Sequence, residues 1–156
     1  MHTRETIFTT SLCLFLIGSS IGVANAEETH HRNHVAVGTG ITWHDSHDSA
    51  YLGVDYVYRI SDNYGVGAFY EEVSGDFDLR AYGLTFGRYF ANGWKIGAGA
   101  GVERKLKDNK TLFLFHVSTG YDWHRGSWTF GPTASIDFIE DSSTSYYLGV
   151  AVGYGF

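Results

Sequence analysis

From Tyr146 to Phe156 the chain reads YYLGVAVGYGF. The even positions are Tyr146, Leu148, Val150, Val152, Tyr154 and Phe156; the odd positions are Tyr147, Gly149, Ala151, Gly153 and Gly155. A repeat of two marks an extended strand, because successive side chains of a strand point to opposite faces. One face is large and apolar, and the other is small except at Tyr147. Such a face is too apolar to lie in water. A soluble sandwich could bury it as a core strand, whereas a barrel in lipid would need the same pattern in every strand.

The pattern recurs seven times upstream. His34 to His44 sets Val35, Val37, Thr39, Ile41 and Trp43 on one face, and Tyr51 to Ile60 does so with Leu52, Val54, Tyr56, Tyr58 and Ile60. Tyr64 to Val73 follows with Tyr64, Val66, Ala68 and Tyr70, and Leu79 to Tyr89 with Tyr82, Leu84 and Phe86. Trp94 to Glu103 presents Trp94, Ile96, Ala98, Ala100 and Val102; Thr111 to Asp122 presents Phe113, Phe115, Val117 and Tyr121. Ser127 to Phe138 presents Trp128, Phe130, Ala134, Ile136 and Phe138. Most segments are close to the ~9–11 residues that a tilted strand needs to cross a bilayer.

The opposite faces carry many of the twenty glycines, together with Asp55, Arg59, Glu71, Lys95, Glu103, His116 and Asp137. Glycine on a water-facing strand surface weakens the strand for no gain. Inside a narrow eight-strand lumen it makes room for Tyr51, Arg59, Phe69 and Tyr147. Connections at Ser61 to Asn63, Phe90 to Gly93 and Trp123 to Gly126 are tight, with Asn and Gly turn chemistry. Those around Asp45–Ser49, Ser74–Asp78, Arg104–Lys110 and Ile139–Ser145 are expected to be longer, charged loops. Aromatic residues gather near both sets of strand ends, as two interfacial girdles would.

The first 26 residues read as a secretory signal: His2 and Arg4 in a polar head, an apolar run from Ile7 to Val23, and Ala24-Asn25-Ala26 as a small-x-small cleavage site. Residues 27–156 then form one domain. The only cysteine, Cys13, would leave with the signal, so closure of a barrel rather than a disulfide must hold the fold. The net charge of −6 gives no reason to expect a nucleic-acid partner, and no cofactor motif is present.

Taken together, the eight alternating segments, the alternating connections and the terminal aromatic strand resemble the small eight-stranded bacterial outer-membrane barrels of the OmpA and OmpX kind. The resemblance implies an all-β, antiparallel, up-and-down transmembrane barrel in the outer membrane. It implies contact with outer-membrane lipids and lipopolysaccharide, and recognition by the barrel-assembly machinery through the final strand. It transfers no site residues; the leading reading is a structural or surface-interaction role without catalysis, with an enzyme acting on outer-membrane lipid and a minor pore as the alternatives.

Four groups of residues could carry chemistry. Arg104, Lys105, Lys107 and Lys110 form the one basic stretch, at a third outer loop where lipopolysaccharide phosphates would lie. His44, Asp45, His47 and Asp48 could hold a metal, although loop ligands bind weakly without supporting partners. His116 and Ser118 form a His-x-Ser pair, the arrangement that lipid A deacylases of the PagL kind use with an acid. Alternation points both inward, away from a lipid substrate. A hydrogen-bonded luminal network with Glu103 or Asp137 is the reading favoured here. The luminal charges could instead line a narrow pore. Pro132, facing outward within a strand, removes one ladder bond and suggests a bulge.

Overall fold

The computed structural model describes residues 31–44, 47–74, 78–107, 109–140 and 143–156. The signal-like segment at residues 1–26 lies outside the described residues.

Among the described residues nine strands follow one another: β1 (Asn33–His44), β2 (His47–Arg59), β3 (Tyr64–Ser74), β4 (Leu79–Tyr89), β5 (Trp94–Lys105), β6 (Lys110–Tyr121), β7 (Trp123–Arg125), β8 (Trp128–Ile139) and β9 (Thr144–Gly155). Each pairs antiparallel with its neighbours, β6 and β7 both pairing with β8, and β1 pairs with β9. The sheet thus closes with no free edge. β6 and β7 are one stave, which gives eight staves in up-and-down order.

Pro132 explains the split in that stave. The ladder runs from Leu114↔Ile139 to Gly120↔Thr133, stops, and resumes at Trp123↔Phe130 in the same register. Tyr121 therefore falls opposite Pro132, which has no N–H to donate. The expected bulge is absent, since no residue is inserted on either strand.

Alternation sorts the side chains as the sequence implies. Val37, Leu52, Leu84, Phe113, Leu148 and Val150 stand on the exposed outer wall, while Tyr51, Phe69, Leu114 and Tyr147 are buried in the lumen. Aromatic side chains ring both ends of the wall. At the end where Asn33 meets Phe156, here called the terminal end, Trp94, Tyr121, Trp123 and Phe130 form a chain of ring contacts with centroids 5.3 to 5.6 Å apart. At the opposite loop end Trp43 pairs with Tyr146, and Tyr70 with Tyr82.

The connections depart from expectation. At the loop end only two residues separate β1 from β2, and four separate β3 from β4, β5 from β6, and β8 from β9. The terminal-end turns have four, four and two residues, with Gly93 and Gly126 in the positive-φ conformation a tight turn needs. Both ends are therefore short. Of the charged residues assigned to long loops, Asp48, Arg104, Lys105 and Lys110 belong to strands, because continued cross-strand pairing satisfies their backbone groups better than an open loop would.

Candidate functional site

The basic stretch is divided by the strand it belongs to. Arg104 and Lys105 end β5, Lys110 begins β6, and Lys107 lies in the turn between them. Alternation turns Arg104 outward, while Lys105 and Lys110, paired with each other, share the luminal parity at the loop-end mouth. Lys105 reaches inward, with its Nζ 4.0 Å from Glu103 Oε1. These four residues do not make one surface.

The residue that joins Arg104 on the outer wall is Arg80, which the contiguous basic run does not include. Arg80 pairs directly with Arg104 across the β4–β5 ladder, two residues beyond the Tyr82↔Val102 pair. Like charges directly opposite on one face repel. Arg80 is partly offset by Glu72 at 3.2 Å, and Arg104 donates to Asn109 Oδ1 at 2.8 Å. Two guanidinium groups and one carboxylate leave this patch positive, at the rim of an aromatic belt.

The lumen has two unlike halves. Toward the loop end it is packed with two apolar clusters: Phe69, Ala81, Leu112, Leu114 and Ile139, and Tyr51, Val73, Leu79 and Tyr147. Tyr51 and Tyr147 meet edge to face with centroids 5.2 Å apart. Toward the terminal end lies a polar cavity of about 100 Å³, lined by small residues such as Gly38, Gly53, Gly87 and Gly97. His34, Tyr89, Lys95 and Asp122 line its outer part; Lys95 Nζ donates to Asp122 Oδ1 at 2.8 Å, and Arg59 lies over the Tyr89 ring at 3.8 Å. Glu71 and His116 line it too, placing the cavity against the apolar plug.

His116 is buried and bonded through Nδ1 to Asp137 Oδ1 at 2.7 Å, and its ring stacks on Phe69 with centroids 4.5 Å apart. This is the expected luminal network, with Asp137 as the partner. Ser118 lies two residues along the same inward face, about 6.6 Å away along the strand. Both members of the His-x-Ser pair therefore face the lumen and not the outer wall. Glu71 belongs to the same cluster, although in the sequence it is only one of several luminal charges.

Of the histidine loop, His44 and His47 are direct cross-strand partners at the end of the β1–β2 ladder. His44 is buried and within hydrogen-bonding distance of Ser145 Oγ at 2.7 Å through Nδ1, while His47 and Asp48 are exposed and alternate in direction along β2. Asp45 lies outside the described residues. His31 and His34 sit at the other end of the barrel, within 2.9 Å of the hydroxyls of Ser127 and Thr129.

No family model and no curated protein matches the chain. Solved structures do match in shape. Neisserial surface protein A is 13% identical, with a TM-score of 0.57, covering 80% of this chain and 96% of that one. The N-terminal β-barrel domain of Pseudomonas aeruginosa OprF is 16% identical, with a TM-score of 0.55, covering 81% and 99%. Ail, the attachment invasion locus protein of Yersinia pestis, solved with the heparin analogue sucrose octasulfate, is 10% identical, with a TM-score of 0.52, covering 80% and 96%. At these identities the likeness is one of fold: a closed, antiparallel, eight-stranded barrel in up-and-down order.

Proposed function

We propose that this chain, which has the fold of the small eight-stranded outer-membrane barrels, resides in the outer membrane as a plugged, non-catalytic barrel whose loop-end rim binds anionic lipid. The observation that carries the reading is the Arg80–Arg104 pair on the outer wall, set beside the aromatic belt. In that position a phosphate would lie between two guanidiniums, relieve their repulsion and accept charge-assisted hydrogen bonds. Lipopolysaccharide is the outer-leaflet lipid that offers such phosphates, and Lys107 in the adjacent turn adds a third cation. Lys105 and Lys110, by contrast, serve the mouth of the lumen. The final strand, with Tyr154 and Phe156 exposed, is the segment that assembly machinery would recognise.

The plug argues for a surface role over a pore, since the loop-end half of the lumen is filled by side chains. The inward direction of His116 and Ser118 argues against hydrolysis of a membrane lipid. The test is reconstitution of the barrel in vesicles with or without lipopolysaccharide. We expect lipopolysaccharide to slow unfolding, and the effect to fade with salt and to disappear in the Arg80→Gln/Arg104→Gln double variant. Equal protection of the wild type and the double variant would overturn the lipid-rim reading. A protein that fractionates with the periplasm and shows no heat-dependent gel shift would overturn membrane residence.

A further inference from the structure

At the junction of plug and cavity, three buried donors from three strands converge: Glu71 of β3, His116 of β6 and Asp137 of β8. One donor atom from each lies within 4.8 Å of the others. Asp137 is fully buried and Glu71 is 8% exposed. Each has a carboxylate oxygen, Asp137 Oδ2 and Glu71 Oε2, with no hydrogen-bond partner. An uncompensated buried carboxylate is costly, and native interiors resolve it by pairing, protonation or a bound cation. Two lysines of luminal parity are directed elsewhere: Lys95 to Asp122, and Lys105 to Glu103 at 4.0 Å.

We propose that Glu71, His116 and Asp137 form a luminal binding site for a divalent transition-metal cation of the Zn²⁺ class. One imidazole and two carboxylates suit such an ion better than Mg²⁺ or Ca²⁺, which call for six or more oxygens. Metal–donor bonds of about 2.0–2.2 Å place the donors of a tetrahedral ion roughly 3.3–3.6 Å apart, so donor atoms that lie within 4.8 Å of one another need to draw together by about an ångström at most of their separations. The Phe69 ring fixes the imidazole plane on one side. The cavity supplies the remainder: Glu71 and His116 line it, and it extends to Lys95 and Asp122 at the terminal end, giving an ion a polar route and a place for a water on the open coordination position. The plug closes the other direction. The site is thus loaded from the terminal-end face, independently of any lipid at the loop-end rim.

The experiment uses the folded barrel in detergent, without a histidine tag, titrated with Zn²⁺ alone and with Mg²⁺ as the competing probe. We expect one Zn²⁺ per chain, unaffected by a hundredfold excess of Mg²⁺, and at least a hundredfold weaker binding in Glu71→Gln and in His116→Gln. Folding of each variant is checked by its heat-dependent gel shift. A His44→Gln/His47→Gln variant should bind as the wild type does. The wild type also answers alone: Co²⁺ should give the intense visible bands of a four-coordinate nitrogen–oxygen site. Absence of stoichiometric Zn²⁺ binding, only the pale spectrum of hydrated Co²⁺, or affinity unchanged in both luminal variants would overturn the site.

Discussion

The two halves of the lumen are built from the same eight staves and the same alternation, yet they hold opposite contents. Along β4 the inward residues run Leu79, Ala81, Gly83, Thr85, Gly87; along β6 they run Leu112, Leu114, His116, Ser118, Gly120. Bulk declines along β6 from the loop end toward the terminal end, and along β4 it falls to small residues before Tyr89 closes the terminal end. The loop-end half is filled by buried side chains, Glu103, Thr42 and Ser145 among them, and the other half is left with a polar cavity. Alternation thus decides which residues face inward, whereas the order of sizes along each strand decides whether the interior is sealed or open.

The strongest way to break the contrast is to hollow the plug. Phe69→Ala and Leu114→Ala should each destabilise the barrel by about 2–5 kcal/mol, because each leaves a void among side chains that cannot collapse across a closed wall. Urea unfolding in vesicles, read by loss of the folded gel band, measures this. A loss below 1 kcal/mol for both would mean that the loop-end half is not a packed core. The double variant should also admit ions, seen as conductance absent from the wild type.

A smaller effect is expected at the far end of the cavity. Lys95→Met removes the partly exposed ion pair with Asp122, 2.8 Å long, and leaves that carboxylate without its cation. The expected loss is about 1 kcal/mol by the same unfolding assay. A loss comparable to that of Leu114→Ala would show that the polar half is as tightly determined as the plug.

How much of this was legible in the sequence divides along the same line. Inward and outward faces followed from a period of two, and they hold for His116, Ser118, Pro132 and both aromatic rings. What meets across the lumen did not follow. Glu71, His116 and Asp137 come from strands that are not all neighbours, and no short-range pattern in the sequence encodes that convergence. The Arg80–Arg104 pair was within reach, since both lie equally far from Asn92 in the β4–β5 turn and a hairpin pairs equidistant residues. A contiguous basic run does not contain Arg80, which lies 24 residues before Arg104 in the chain. Loop lengths were overestimated because charge was read as a loop signal, although an exposed strand end at a barrel rim carries charge equally well.

The smallest effects should fall on residues that line the cavity without filling it. Ser118→Ala removes one oxygen from a watery wall, so stability should change by no more than about 0.5 kcal/mol. No fatty acid should be released from lipopolysaccharide by either protein. Release that ceases in Ser118→Ala would restore the deacylase reading. A methyl group at Gly53 would meet its nearest neighbours at 3.7 Å, an ordinary contact. Gly53→Ala should be neutral or stabilising by up to about 1 kcal/mol, through reduced freedom of the unfolded chain.

The seam between β1 and β9 has a consequence for how the barrel comes into being. Seven of its eight ladders join staves that follow one another in the chain, whereas the eighth pairs His34 with Gly155 and His44 with Ser145, each more than 100 residues apart in sequence. Hairpins can form and unform locally, but this last ladder requires the whole chain to be gathered first, at an entropic penalty that rises only logarithmically with the length enclosed. Assembly should therefore be limited by a single late ring closure. Substitutions along the seam would change the rate of insertion, whereas those within an early hairpin would show mainly in how fast the finished barrel comes apart.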